Sequence, residues 1–351
     1  MKKLLKNAIY PMLFNLQLFA ESYETSLNTT GSDGLSVEMK TFYDNVLIDN
    51  AEPELVHNQF GQKRPIPKNS GKVIEFRKYS PYPKALKALD EGITPEGRKL
   101  EAKTVTCEAK QYGDYTLITD MLILTAIDNN IVEATKLHGS QAGRTLDTIT
   151  REVLNASDNV QYANESVSDR GSLKGGAADG NHYMSVDCIK RGVRNLKRHN
   201  APKINGYYVA IIHPDVSYDL TSDPAWIEVH KYSNTEEIYE GEIGRIAGVR
   251  FVETTEAKIF TTENTNNDAG ADGRDVYSTL LIGANAYGVT EITGGGLQTF
   301  VKQLGSAGAA DPLNQRATVG WKATAAAVIL VDSNMLRIET TSTYTSPKEN
   351  N

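Results

Sequence analysis

The sequence predicts an α+β fold, and three observations carry that expectation. From Asp120 to Ala156, Ile127, Ile131, Ala134, Leu137, Ala142, Leu146, Ile149 and Val153 recur at steps of three and four residues with one slip of five. That is the period of a helix burying one face. Second, Val105, Cys107 and Ala109 alternate with Thr104, Thr106, Glu108 and Lys110, the period of a half-buried strand. Third, Tyr207 to Ile212 is an unbroken apolar run, as in a strand covered on both faces.

Bulk composition narrows the function classes. A chain of 351 residues, 40% of them hydrophobic and 23% charged, can fill one large core or two interlocked ones, and whole-chain disorder is excluded. Cys107 and Cys188 stand far apart with no CxxC pair and no histidine pair nearby, so neither a zinc site nor a disulfide framework is indicated. They read as packing residues of a reducing compartment. The net charge of −7 argues against tight wrapping of nucleic acid by the chain as a whole. Its distribution says more. Between Lys63 and Lys110 stand 12 Lys and Arg against 6 Asp and Glu, which leaves 25 against 38 for the rest, or −13. From Asp215 to Glu256 there are 10 acids and 3 bases. A basic projection on an acidic body suits head-to-tail contact between copies; two solvated faces that never meet are the alternative.

Taken in order, Met1 to Ala20 places Lys2, Lys3 and Lys6 before an apolar run that Asn7, Pro11, Asn15 and Gln17 interrupt. No small-x-small cleavage site follows, so retention rather than export is expected, with Met12 as an alternative start. No later segment has the ~18 uninterrupted apolar residues of a membrane span. Residues 1–35 read as an extended arm, and 36–59 as a helical segment divided by Pro53. Val73 to Tyr79 and Lys103 to Gln111 read as two strands. Their connection contains Pro81, Pro83, Gly92, Pro95 and Gly97 and far exceeds a hairpin turn. It lacks the apolar residues to make its own core, so its packing partner is expected outside the subunit.

The long helix follows, capped by Asp128 or Asn129 and closed by Asn155 or Ser157. Its span is about 40 Å at ~1.5 Å per residue, the length of a strut. Gly139 and Gly143 sit at the slip, where a slight kink is expected. Ala156 to Gly180 reads as a surface excursion. A second unit begins with the helix Ser185 to Arg198, which has Val186, Ile189, Val193 and Leu196 on one side and Lys190, Arg191, Arg194, Lys197 and Arg198 on the other. Helices are expected at Pro214 to Leu220 and from Pro224. Strands are expected at Val249 to Val252, Thr279 to Ile282 and Thr299 to Lys302. Residues 251–340 are expected to return to the first core as strands and a helix, with Ala317 to Val331 the last compact element. Residues 341–351 read as a polar tail.

The chemical motifs are weak. His213-Pro214-Asp215 copies the tripeptide of J-domain co-chaperones, but it follows a strand; a strand-to-helix turn with Pro214 at the first helical position explains it. Asp268, Gly270, Asp272 and Gly273 resemble a calcium loop in which glycine takes the third ligand position and Thr279 replaces the bidentate glutamate, so a solvated turn is expected. Gly294 to Gly296 lacks the Lys-Ser/Thr and the helix of a phosphate loop. The six histidines are scattered without HExxH or GxSxG, and His138 reads as a partly exposed helix residue. The basic helix Lys190 to Arg198 is able to touch phosphates or a second copy, with a solvated face as the blander reading. No catalytic residue, cofactor or metal site is expected.

The order of elements, together with particular residues, resembles one family. Gly71-Lys72-Val73-Ile74-Glu75-Phe76-Arg77-Lys78-Tyr79 opens the hairpin and Gln111-Tyr112-Gly113-Asp114-Tyr115 closes it. Ala126-Ile127-Asp128-Asn129-Asn130-Ile131 and Gln141-Ala142-Gly143-Arg144-Thr145-Leu146-Asp147 mark the strut. Tyr208 to Asp215, Gly244 to Phe251 and Val319-Gly320-Trp321-Lys322-Ala323 follow. Jointly these are similar to the major capsid proteins of tailed phages, with the Hong-Kong-97-type fold. The resemblance implies an N-terminal arm, an extended loop over residues 60–118, a peripheral domain over 119–184 whose spine helix spans 119–156, and an α/β axial domain over 185–250. It implies self-assembly into hexamers and pentamers of an icosahedral head around double-stranded DNA, a virion location after assembly in the host cytoplasm, and no membrane partner. Portal, decoration and separate scaffold proteins are further partners it implies. The basic loop, including Lys84, Lys87, Arg98 and Lys99, is expected to dock on an acidic neighbour. An encapsulin-like compartment shell is the alternative, and a soluble hydrolase using His213 and Asp215 a remoter one.

Overall fold

The computed structural model describes residues 55–344 except 80–81, 89–90, 93, 95, 126–128, 175–181, 231–243, 262–269, 271–272 and 307–310. The expected arm, most of the helical segment before Phe60, most of the calcium-like loop and the end of the tail lie outside these residues. Along the chain come β1 (Gln62–Lys63), β2 (Val73–Tyr79), β3 (Ala102–Glu108), β4 (Lys110–Thr119), α1 (Asp120–Thr125), α2 (Asn130–Leu154) and β5 (Val160–Tyr162). Then follow α3 (Val186–Arg198), β6 (Tyr208–Ile212), α4 (Pro214–Thr221), α5 (Pro224–His230), β7 (Arg245–Ile246) and β8 (Val249–Glu253). The chain closes with β9 (Ile259–Phe260), β10 (Val276–Ile282), β11 (Tyr287–Thr290), β12 (Gln298–Lys302), β13 (Arg316–Ile329) and β14 (Met335–Thr340). No helix among the described residues is long and apolar enough to cross a membrane.

Two sheets organise the chain, and α2 touches both. The first has five strands built around β13, whose early part lies between β4 and β12 and whose end pairs with β11, with β1 beyond. The second runs β5-β14-β10-β6-β8-β7, with β9 also on β10. Every residue of β6 and β10 is buried, so both read as continuous apolar or small runs and not as alternations. The Tyr208, Ala210, Ile212, Leu281, Leu336 and Ile338 side packs with Ile189, Val193 and Leu196 of α3. The opposite side, with Ile211, Leu280, Ile282 and Met335, meets Leu154 at the end of α2.

The long helix starts where expected. The Asn129 side chain accepts from Val132 N–H, and Asn155 is the C-cap. The buried face differs from the expected one. Leu137 is 72% exposed, while Thr135, His138, Ala142, Leu146, Asp147, Thr150 and Leu154 are buried. Counted from Thr135 through His138, Ala142, Leu146 and Thr150 to Leu154, the steps are three and four throughout, with Asp147 beside Leu146, and the five-residue slip disappears. The stripe mixes polar and small residues because the sheet beneath it offers hydrogen-bonding groups as well as apolar ones. His138 is therefore buried, at 5% exposure, and not a partly exposed helix residue. Its Nε2 lies 2.9 Å from Thr116 Oγ1 on β4, and its Nδ1 3.0 Å from Gln141 Oε1, which also accepts from Trp321 Nε1.

Several other expectations change. The strand Lys103 to Gln111 divides at Ala109: β3 pairs with β2, and β4 leaves to run antiparallel to β13 over Lys110 to Thr119. Among the described residues from 251 to 340 there is no α-helix. The alanine-rich stretch around Trp321 is instead the 14-residue strand β13, whose small side chains let α2 approach the sheet. Glycine is required at Gly320, where a Cβ would stand 2.7 Å from Asp114 O and 2.7 Å from Tyr115 Cβ on β4. The excursion after α2 is partly structural. Val160 to Tyr162 forms β5 parallel to β14, and Ala163 and Leu173 are buried. The start of the tail is likewise packed: Thr341 and Ser342 are fully buried, and Asp219 accepts from both Thr343 N–H and Thr343 Oγ1.

The turn at His213 forms as the sequence predicts, with His213 as N-cap and Pro214 at the start of α4. Both cysteines are free and buried.

Candidate assembly surface

The surface that sets this chain apart is the β2–β3 hairpin and its connection. Half of the hairpin is rooted. Phe76 and Cys107 are buried against Ala326, with Ile74, Val328 and Leu330 packed around them. A Cβ at Gly288 of β11 would stand 2.8 Å from Phe76 Cζ, so the aromatic ring fits only because that position is glycine. At the root Lys72 Nζ lies 2.5 Å from Glu108 Oε1, and Ala109 N–H donates to Lys72 O at 2.8 Å. The Lys72 ammonium holds the Glu108 carboxyl below its ordinary pKa, and Glu108 raises that of Lys72.

The outer half has no packing partner among the described residues. Arg77 pairs with Thr104, Lys78 with Lys103 and Tyr79 with Ala102, and all six residues are exposed. Lys78 directly opposite Lys103 is an unfavourable cross-strand pair unless an anion lies nearby. Every described residue from Tyr82 to Glu101 is exposed, without helix or strand, and Leu86 reaches 86% exposure. Exposed Tyr79, Tyr82 and Leu100 lie in the same limb as the cations. An ordered self-contained loop would bury such residues.

The predicted contact residues fall in this limb. Lys84 and Lys87 sit on its outgoing side, and Arg98 and Lys99 on its return. All four are exposed, and among the described residues none has an ion-pair partner. The structure brings them into one loop and does not bring them onto another surface of the same chain. Sequence reading missed the Lys78 and Lys103 pair. The alternation of the two strands contained that signal, once the register was known.

A second open surface lies on the five-stranded sheet, on the side away from α2. Tyr115 and Leu117 of β4 and Phe300 of β12 are exposed there, and Tyr115 and Phe300 with Lys302, Thr318 and Lys322 border an open groove of about 490 Å³. Lys322 Nζ stands 5.2 Å from the Phe300 ring centroid. On α1, Met121, Leu122 and Leu124 are also exposed. The chain therefore presents apolar area at both the limb and the body.

The remaining titratable clusters are structural. His57 Nδ1–H donates to Asp147 Oδ2 at 2.5 Å, and His57 N–H donates to Asp147 Oδ1 at 2.7 Å, with both side chains fully buried. Tyr287 donates to His57 O, which ties the turn before β1 to both α2 and β11. His213 and Asp215, the pair considered for hydrolysis, are used locally. His213 Nδ1 accepts from Asp215 N–H at 3.2 Å, and Asp215 Oδ2 accepts from Tyr277 at 2.7 Å. Burial pushes the His213 imidazole below its ordinary pKa, outweighing the upward pull of Asp215 and Glu253. Among the described residues no group of His, Cys, Asp and Glu has metal-binding geometry.

The fold as a whole is similar to that of solved capsids. The chain is similar to the capsid of cyanophage Pam1 at 15% identity and a TM-score of 0.64, covering 84% of this chain and 93% of that one. It is similar to the capsid of Ralstonia phage GP4 at 16% identity and a TM-score of 0.60, covering 84% and 90%. The capsid of cyanophage P-SCSP1u matches at 12% identity and a TM-score of 0.59, covering 82% and 89%. No curated protein matches the chain. The family model described as phage capsid protein matches residues 123–305, just over half of the chain, from the end of α1 to the turn after β12. The chain belongs to the phage capsid protein family.

Proposed function

We propose that this chain is the major capsid protein of a tailed phage, a structural tile that assembles into hexamers and pentamers of an icosahedral head enclosing double-stranded DNA. The observation that carries the reading is the limb from Arg77 to Lys103. It is exposed along its described length, basic, and rooted at one end in the core. Such a segment gains its packing only from another molecule, and a sister copy in a closed shell is always at hand. In this reading residues 60–118 are the extended loop, α2 is the spine of a peripheral domain over 119–184, and 185–250 make up most of the axial domain. The protein resides in the virion after assembly in the host cytoplasm.

The contact chemistry follows from charge. Lys84, Lys87, Arg98 and Lys99 meet acidic groups of the adjacent subunit, and Tyr82, Leu86 and Leu100 add apolar burial. Rim charges of this kind set encounter rate and register more than total affinity. The role asked of the chain is mechanical, and no bond-making step is assigned to it. Expression of the full chain followed by negative-stain imaging is the test. Closed shells are expected; a monodisperse monomer at every concentration contradicts the proposal. In the variant K84E/K87E/R98E/K99E, assembly is expected to fall and to lose its salt dependence, while the thermal midpoint of the unassembled chain stays close to wild type. Unchanged assembly would refute the charge mechanism alone.

A further inference from the structure

The helix α3 carries Lys190, Arg191, Arg194, Lys197 and Arg198 against the single acid Asp187, on a chain whose net charge is −7. Its apolar side is spent on the seven-stranded sheet. The basic side forms one wall of an open cleft of about 380 Å³, with Arg191, Arg194 and Arg198 facing Gln161, Asn164 and Glu165 on and after β5. Arg191 is fixed in place: it donates to Ala163 O, and its Nε lies 3.1 Å from Asp187 Oδ2. Arg194 and Arg198 are exposed, and among the described residues neither has an ion-pair partner. Compensation of the helix dipole accounts for Lys197 and Arg198 in the last turn, but not for Lys190 and Arg194 in the middle of the helix.

We propose that this cleft binds phosphate groups of a nucleic-acid backbone. Guanidinium forks match phosphate oxygens in two-pronged geometry. Seven residues of helix separate Arg191 from Arg198, about 10 Å at ~1.5 Å per residue, and backbone phosphates rise ~3.4 Å apart along one strand. Successive phosphates of one strand therefore reach more than one arginine. Of the other lining groups, the Asn164 amide donates to oxygen without reading bases, while the Gln161 amide already donates to Cys188 O at 2.9 Å. Glu165 opposes the phosphates and keeps the contact weak.

The same forks match carboxylates of a second copy, but three acids among the described residues of the nearby acid-rich segment are already engaged within the chain. Asp215 is taken by Tyr277, Asp219 by Thr343, and Asp223 by the N–H groups of Val186 and Ala225. The inference rests on the reading of the chain as a shell around DNA and adds the place of contact. The acidic remainder repels the duplex, so binding is confined to this stripe.

The test is fluorescence anisotropy of a short labelled DNA duplex against the full-length chain over a range of salt, with particle formation imaged in parallel. Wild type is expected to bind with affinity that falls as salt rises. R194E/R198E is expected to weaken binding roughly tenfold or more at low salt and to flatten the log–log salt slope by roughly 2. R194K/R198K is expected to keep most of the binding. K84E/K87E, in the limb, is expected to impair assembly and leave DNA binding in place. No binding by wild type, or equal binding and slope in R194E/R198E, overturns the inference. Unchanged DNA binding with lost assembly in R194E/R198E also overturns it, and assigns the face to a second copy. Shells without DNA binding leave the capsid reading intact, whereas DNA binding without shells contradicts that reading and spares the cleft.

Discussion

Asp147 has both carboxylate oxygens committed to one residue, His57, in a site without solvent. Removing Asp147 leaves the buried His57 donors without an acceptor, which costs about 1–3 kcal/mol. D147A is accordingly expected to lower unfolding free energy by about that amount in denaturant titration of the unassembled chain; a loss under about 1 kcal/mol would show that the turn is held by something else. His213 gives a pH prediction. Its folded-state pKa is depressed, so the unfolded chain takes up the proton first. Stability from this group is complete above the unfolded value near 6.5 and declines as pH falls from there through the folded value. Asparagine keeps the N-cap, so H213N is expected to flatten the thermal midpoint against pH between about 6.5 and 5. An unaltered slope would count against it. The buried His57–Asp147 pair was not legible in the sequence. His57 and Asp147 are separated by 90 positions, and no local pattern links them. The His213 turn was legible, because Pro214 after an apolar run specifies its own geometry.

At the scale of elements, the helix α2 was legible in position and only partly in face. Caps and period place it at Asn130–Leu154, but an apolar-only count selects Leu137 and passes over His138. Thr116 and Gln141 satisfy the imidazole, with Trp321 donating to the same Gln141 oxygen, and a buried polar residue with partners costs little. β13 shows the converse. Its alanines have helical propensity, yet their use is to stay small between α2 and neighbouring strands, and context overrides propensity. β11 and β14 went unread because the first is short and the second begins directly after a turn. G320A tests the close approach of β13 and β4. The added methyl meets backbone and Tyr115 Cβ at 2.7 Å, so a loss of about 1–3 kcal/mol is expected in chemical denaturation. A neutral result would mean that the two strands separate without penalty.

For the whole molecule, the charge division seen in the sequence has a physical location. The +6 segment from Lys63 to Lys110 contains the exposed limb, and the compensating acids lie elsewhere in the sequence. A chain folded for solitary life would turn Leu86, Tyr82 and Leu100 inward or lack them; here they are exposed beside cations that have no ion-pair partner among the described residues. Composition and order of elements made the class of molecule legible, while the surface proposed to receive the limb was not, because in that proposal it belongs to another copy. The most direct test is a cryo-electron density map of the assembled particle, traced through residues 82–101. The account predicts that this stretch crosses onto an adjacent subunit, with Lys84, Lys87, Arg98 and Lys99 within ion-pair distance of its carboxylates. Density showing the stretch folded against its own subunit would contradict it.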